Sequence, residues 1–188
     1  VGAPESMSKS KKNTIDPENI IEIYGADAVR FFILADSPPE KDIQWSDKGM
    51  LSAHKFIQKF WNISEQILKI IKTNPTNKNS DIDIFTNQAI DKINSSLEKF
   101  RYNVIIAVFH EIYAFYKKVL DKNENYNNLE ENYIKILTIM MPVIPHLTNE
   151  CLSVLEKNKK VAWPLVKSEF LHKEKKEIVI QINGKKKK

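Results

Sequence analysis

The run Val1-Gly-Ala-Pro-Glu-Ser-Met-Ser-Lys-Ser-Lys-Lys-Asn13 gathers more anion-binding chemistry than any other stretch of the chain. Lys9, Lys11 and Lys12 are cationic donors, Ser8 and Ser10 bring hydroxyls, and the small residues around them leave backbone N–H groups free to turn toward an anion. Such a loop suits a polyphosphate. Short Lys/Ser runs are also common as solvated loops, so composition alone leaves both readings open.

A second set of cations lies farther on. Asp47, Lys48, Lys55, Lys59, Glu65, Lys69 and Lys72 sum to +3, and Lys55, Lys59 and Lys69 fall off the apolar stripe of the helix that carries them. A face of this kind is either solvated or laid against phosphates. Arg101, with Lys117 and Lys118, forms a weaker patch. The other reactive side chains point to structure. His54, His110, His146 and His172 lack partners at metal-ligand spacing, so no metal site is expected. His146 follows Pro145 and reads as a helix-start residue with satisfied ring nitrogens, and Asp81 and Asp83 read as a solvated loop. Trp61, Phe56 and Phe60 sit at helical spacing and read as core.

Composition excludes several classes. Charged residues make up 28% and glycines number only 4, which points to a soluble helical protein and away from a turn-rich all-β chain. No apolar run is long enough to span a bilayer. A lone cysteine, Cys151, cannot form an intramolecular disulfide and fits a cytoplasmic protein, where it packs as a small apolar residue. The net charge is +5, of which Lys185–Lys188 carry four and residues 1–12 a further net two, leaving residues 13–184 at −1. The body is therefore no general polyanion binder, and RNA contact must come from local patches. The start, Val1-Gly-Ala-Pro, with neither Met nor a leader, reads as a cut inside a longer protein.

The positioning elements follow from caps and periodicity. Asp16, Pro17 and Glu18 start a short helix with Ile20, Ile21 and Tyr24 on its apolar side, ended by Gly25. Ala26 to Asp36 forms a second, with Val29, Phe32 and Ile33 inward, stopped by Ser37-Pro38-Pro39. After an extended connector, Ser46 or Asp47 caps a long helix carrying Phe56, Phe60, Ile63, Ile67 and Ile70, widened by Trp61 and Ile71. Thr73 to Ser80 is a loop. Residues 85–100 form the next helix, with Ala89, Ile93, Leu97 and Phe100; Asn103 then caps a helix to about Leu120 carrying Val104, Val108, Ile112, Phe115 and Val119. Helices at Leu129 to Met141 and at His146 to Lys157 complete an up-and-down bundle. Trp163-Pro-Leu-Val is extended. Ile178-Val-Ile-Gln-Ile reads as a strand entering Asn183-Gly184, with its partner strand missing, so residues 165–188 read as a poorly ordered, truncated start of a further domain.

The order of these residues carries a resemblance. Ser6-Met7-Ser8-Lys9-Ser10 is similar to the K-M-S-K-S signature loop of class I aminoacyl-tRNA synthetases. With Asp16-Pro-Glu and Tyr24-Gly-Ala-Asp-Ala-Val-Arg-Phe-Phe, it is similar to the subgroup for leucine, isoleucine, valine and methionine. Ala35-Asp-Ser-Pro-Pro-Glu-Lys-Asp-Ile-Gln-Trp-Ser-Asp-Lys-Gly49, Trp163-Pro and Val179-Ile-Gln-Ile-Asn-Gly-Lys185 resemble the leucyl-tRNA synthetases in particular. Phe100-Arg-Tyr-Asn and Pro142-Val-Ile-Pro-His146 match helix boundaries of that family's anticodon-binding bundle.

The resemblance implies an all-α architecture: a K-M-S-K-S loop and helical hinge module over residues 1–45, an antiparallel anticodon-binding bundle over 46–160, and a linker with a truncated β tail over 161–188. It implies part of a monomeric cytoplasmic ligase that joins leucine to tRNA(Leu) through leucyl-adenylate, using ATP with Mg²⁺. Met7, Ser8, Lys9, Ser10 and Lys11 would contact ATP, with Lys9, the signature's second lysine, as the catalytic cation on the departing pyrophosphate. Lys55, Lys59, Lys69 and Arg101 would contact tRNA. The signature's first lysine is Ser6 here, which gives that position no charge role. The family's H-I-G-H loop, leucine pocket and editing domain are absent, so this piece should not catalyse by itself. A stand-alone helical RNA-binding module is the competing class, and the valyl, isoleucyl and methionyl enzymes are the competing relatives.

Overall fold

The Asp16 carboxylate accepts the Glu18 N–H at 3.0 Å, and Pro17 takes the first position of α1 (Pro17–Tyr24). The computed structural model describes residues 5–36, 40–73, 75, 77–122, 124–155, 161–171, 181–182 and 185–186. Gly25 ends α1 at φ 83°, a conformation open to a residue without Cβ, and returns its N–H to the Ile21 carbonyl. In α2 (Ala26–Asp36) the buried set is Ala28, Phe31 and Phe32. The expected Val29–Phe32–Ile33 stripe is rotated by one residue and Ile33 is exposed, as is Ile21 on α1. Both α2 stripes obey helical spacing. Tertiary contact decides between them, because Phe31 stacks on Phe56 of the next helix at 4.6 Å. The expected Ser37-Pro38-Pro39 stop lies outside the described residues.

Ser46 caps α3 (Asp47–Ile71) by accepting the Gly49 N–H at 3.1 Å. A Cβ on Gly49 would sit 2.8 Å from the Phe32 ring, so the glycine lets α2 and α3 approach. Met50, Phe56, Phe60, Ile63 and Ile67 are buried along α3, with Trp61, Ile70 and Ile71 half-buried at the margins.

The next helix, α4 (Ser80–Glu98), starts five residues earlier than its apolar spacing suggests, because Asn79 accepts the Asp81 N–H. Asp83 therefore sits in the first turn and not in a solvated loop. It is buried, accepts from Asn132 Nδ2 at 2.7 Å and lies 3.1 Å from Lys78 Nζ. Phe100, expected on the inner face, falls outside the helix. The Arg101 N–H bonds the Ser96 carbonyl at 2.8 Å and the Phe100 N–H bonds Leu97, a Schellman turn that puts Phe100 at φ 52° and leaves it 61% exposed. Helix α5 (Tyr102–Asp121) starts with no side-chain cap, so Asn103 lies inside its first turn instead of capping it. Ile105, Ile106, Phe109 and Tyr116 join Val108, Ile112 and Val119 in the core, while Val104 is exposed.

Helices α6 (Leu129–Met140) and α7 (Pro145–Val154) finish the bundle, α7 ending three residues short of its expected limit. Helix α2 packs on α3 and α5, α4 on α5 and α6, and α7 on α6 and α3, so one core runs from Ala28 to Leu152. Cys151 lies fully inside it, where burial pushes the thiol up to about 11. At the far end, the two asparagine-rich loops bond each other. The Asn128 amide donates to the Asn79 carbonyl at 2.8 Å and accepts its N–H, and the Asn127 N–H meets the Asn77 carbonyl.

Residues 161–171, expected as an extended linker passing at 165 into a poorly ordered tail, run along α4. Trp163 Nε1 donates to Asn94 at 2.9 Å, the Lys167 N–H donates to Asn87, and a short 3₁₀ turn covers Ser168–Phe170. Strands β1 (Gln181–Ile182) and β2 (Lys185–Lys186) pair antiparallel, so the partner strand expected to be missing is supplied by the lysines. Residues 172–180 and the Asn183-Gly184 turn lie outside the described residues.

Candidate nucleotide loop and nucleic-acid interface

Residues 6–13 form a loop organised on Ser8 and Asn13. The Asn13 side chain accepts the Ser8 N–H at 2.8 Å and donates to the Ser6 carbonyl, closing the loop base. Lys11 and Lys12 return their N–H groups to Ser8 and Lys9, and Lys12 takes φ 52° to do so. These N–H groups are thus used internally, contrary to the expectation that the loop's backbone donors are free. Among the described residues, the N–H groups of Lys9 and Ser10 have no partner and remain available. Lys11 reaches Glu5 at 3.5 Å, whereas the ammonium groups of Lys9 and Lys12 are exposed and make no ion pair among the described residues. The donor set, two unpaired ammonium groups with neighbouring hydroxyls and N–H groups, fits a triphosphate. Met7 is 47% exposed beside it.

Beyond α1, which follows the loop in the chain, α2 is fixed to the bundle. Asp27 Oδ1 accepts the His146 N–H at 3.2 Å and lies 2.8 Å from His146 Nδ1, and Asp27 Oδ2 accepts the Leu147 N–H at 2.8 Å. Arg30 donates from Nε to the Val143 carbonyl at 2.9 Å and from a terminal nitrogen to the Pro142 carbonyl at 2.6 Å. One turn of α2 thus grips the whole α6–α7 connection. His146 stands in the first turn of α7 as expected, but only Nδ1 of its two ring nitrogens has a partner among the described residues. Asp27 and Arg30 lie in the Tyr24–Phe32 stretch that carries the resemblance, but neither is assigned a role on sequence grounds. An acidic residue in the first turn of α2, beside a Pro-initiated helix lacking its own cap, is the signal that could have found this grip.

Lys55, Lys59 and Lys69 are all exposed on α3. At 3.6 residues per turn they share an arc of about 80°, together with Lys48, Asn62 and Gln66, and no acidic side chain falls in it. The three lysines span about 21 Å along the axis. None makes an ion pair among the described residues. Arg101 is exposed at the turn between α4 and α5, on a different element from the lysines. Among the described residues no group of three His, Cys, Asp or Glu could hold a metal ion, and no helix is long and apolar enough to cross a membrane.

The family described as the anticodon-binding domain of tRNA ligase matches residues 79–188, more than half of the chain. The chain belongs to that family. Ahead of this anticodon-binding domain, residues 3–46 match the class I tRNA synthetases for I, L, M and V. Similar curated proteins include the leucine–tRNA ligase of Bradyrhizobium diazoefficiens, 33% identical over 202 residues, which cover 99% of this chain and 23% of that protein. The leucine–tRNA ligase of Orientia tsutsugamushi is 36% identical over 192 residues, covering 98% and 22%. The chain spans just under a quarter of the length of the curated relatives it matches. Among solved structures, agnB2 LeuRS of Agrobacterium radiobacter K84, in ternary complex with tRNA and LeuAMS, superposes with a TM-score of 0.76. It is 21% identical, over 97% of this chain and 25% of that one, so that likeness speaks to the fold.

Proposed function

We propose that the chain is the part of a leucine–tRNA ligase that closes over ATP and leans on tRNA(Leu). The observation that supports this best is one packed unit carrying two matched segments in order, a class I synthetase segment with the Lys9 loop and an anticodon-binding bundle gripped by Asp27 and Arg30. The leucine assignment rests on relatives named leucine–tRNA ligase along the whole chain.

In this reading the leucine carboxylate attacks the α-phosphate of ATP and pyrophosphate leaves. Negative charge grows on the departing group, so a cation that meets it at that moment lowers the barrier more than it strengthens ground-state binding. Lys9 is assigned that role because it stands at the signature's second lysine; its ammonium is unpaired among the described residues and its loop is held at the base by Asn13. Ser8, Ser10 and the Lys9 and Ser10 N–H groups orient the phosphate oxygens, and Met7 and Lys11 border them. Mg²⁺ bound with ATP supplies further charge neutralisation from outside these residues. Lys55, Lys59 and Lys69 meet tRNA phosphates along α3, with Arg101 as a separate contact.

The test is aminoacylation by the full-length protein with leucine, isoleucine, valine and methionine in turn. Charging of tRNA(Leu) with leucine alone is expected. Preference for another of the four amino acids overturns the leucine assignment, and no charging with any of them overturns the ligase reading.

A further inference from the structure

Residues 5–24, which carry the lysine loop and α1, are joined to the rest of the molecule by few contacts. No residue of α1 is fully buried, and only Ile20 and Tyr24 pack part-way onto the core. The hydrogen bonds of residues 5–24 stay within residues 5–25, with one exception among the described residues. His54, half-buried on α3, meets the Tyr24 carbonyl through Nδ1 at 2.9 Å. A carbonyl oxygen can only accept, so the ring donates, and neutral His54 therefore carries its proton on Nδ1. The same ring stands edge-on to Tyr24, with centroids 5.5 Å apart.

This contact falls where α1 most needs one. Tyr24 is its last residue, and the last carbonyls of a helix have no intrahelical donor. A helix of eight residues with none of them buried has little stability of its own. Directly after it Gly25 sits at φ 83° with open space where a Cβ would lie, so the joint between α1 and α2 is unhindered. Helix α2, by contrast, is gripped at the α6–α7 connection through Asp27 and Arg30. The direction of α1 is left to the glycine joint, two half-buried side chains and His54. We infer that His54 is a positioning residue for the lysine loop: by holding the Tyr24 carbonyl it sets the direction of α1 on α3, and with it the place where Lys9 stands. It acts through Tyr24 and α1, not on a substrate. This role rests on the proposal that the Lys9 loop serves adenylate formation, and it names the bundle residue that aims the loop.

Two variants separate the hydrogen bond from the bulk of the ring. His54→Leu fills the space without a donor, and His54→Asn keeps a donor near the place of Nδ1. In the full-length protein, hydrogen exchange of the Ile20–Gly25 amides should quicken roughly 3- to 10-fold in His54→Leu, with α4–α7 unchanged, and return toward wild type in His54→Asn. Pre-steady-state adenylate formation should slow roughly 10- to 100-fold in His54→Leu, the scale expected when a reacting group is misplaced by about 1 Å, and recover in part in His54→Asn. ATP affinity and the KM for tRNA should change less. Added to Lys9→Ala, His54→Leu should slow the step no further, because both substitutions act through one ammonium. Full additivity of the two, or faster exchange without slower adenylate formation, overturns the positioning role and leaves the nucleotide reading of the loop intact. Unchanged exchange in His54→Leu overturns the hold on α1 itself. A Lys9→Ala variant at the wild-type rate overturns the nucleotide reading, and the positioning role with it, while the exchange result still reports whether His54 holds α1.

Discussion

The Asp27 carboxylate caps α7 by accepting the N–H of His146, 119 residues farther along the chain and second in that helix. Ile144, at the cap position of α7, has no side chain that can do so. Asp27→Ala leaves the His146 and Leu147 N–H groups without their acceptor and should lower the unfolding free energy by about 2–4 kcal/mol. Asp27→Asn keeps one acceptor and should cost less. Urea midpoints at constant slope measure both, and an Ala variant within about 0.5 kcal/mol of wild type would show that water replaces the carboxylate at no cost.

Lys9 is predicted to act on the transition state of adenylate formation. In the full-length protein, Lys9→Ala should lower the rate of that step roughly 10²- to 10³-fold with a smaller change in ATP affinity, and Lys9→Arg should recover only part of it. Lys11→Ala should matter less, because Lys11 already faces Glu5. Pre-steady-state adenylate formation on the three variants reads this directly; a Lys9→Ala rate within about threefold of wild type, under 1 kcal/mol, removes the assignment.

Replacing Lys55, Lys59 and Lys69 together by Ala should raise the KM for tRNA and leave amino-acid activation unchanged. Each lost phosphate contact should also reduce the slope of log affinity against log salt by about one. An unaltered slope would mean that the stripe is only a solvated face.

Phe100 holds φ 52° in the Schellman turn, where a side chain is strained and glycine is not. Its ring is largely exposed, so little packing is lost on removing it. Phe100→Gly should raise stability by about 1 kcal/mol in urea titrations. Destabilisation would instead locate a packing role in the edge contact with Tyr102.

Burial works against the Asp83 carboxylate, but hydrogen bonds from Asn132 and Asn128 and the Lys78 ammonium outweigh it and hold the group below its ordinary value. A folded-state value below the unfolded one means stabilisation that is complete above the unfolded pKa, about 4, and lost as pH falls through the folded value. Asp83→Asn should therefore flatten the acid side of the stability curve below about pH 4. An acid limb of unchanged steepness would count against it.

Local signals were legible wherever chemistry and position coincide in the chain. Asp16 with Pro17, Gly25 and Ser46 mark helix ends by contacts within three or four residues, and the residues match what the backbone there requires. The misplaced features all answer to distant partners. The inward face of α2 is chosen by Phe56, the burial of Asp83 by Asn132, and the start of α7 is stabilised by Asp27. Phe100 misled because its spacing is helical while its turn is not. The cations and hydroxyls behind the proposed polyphosphate reading were legible in the loop's composition. Which ammonium groups remain unpaired was not, since that depends on how residues 5–13 fold on themselves.

Helix α6 is tied down at both ends. Its N-terminal side is stitched by Asn128 to Asn79, and the connection beyond its C-terminus is clasped by Arg30 on the carbonyls of Pro142 and Val143. Between them Tyr133, Ile136, Leu137 and Met140 are fully enclosed, leaving no room to slide. A twelve-residue helix about 18 Å long, so fastened, is a strut. Any tilt of the α1–α2 module, and of the lysine loop it carries, must either snap the clasp or swing the asparagine seam at the opposite end of the molecule.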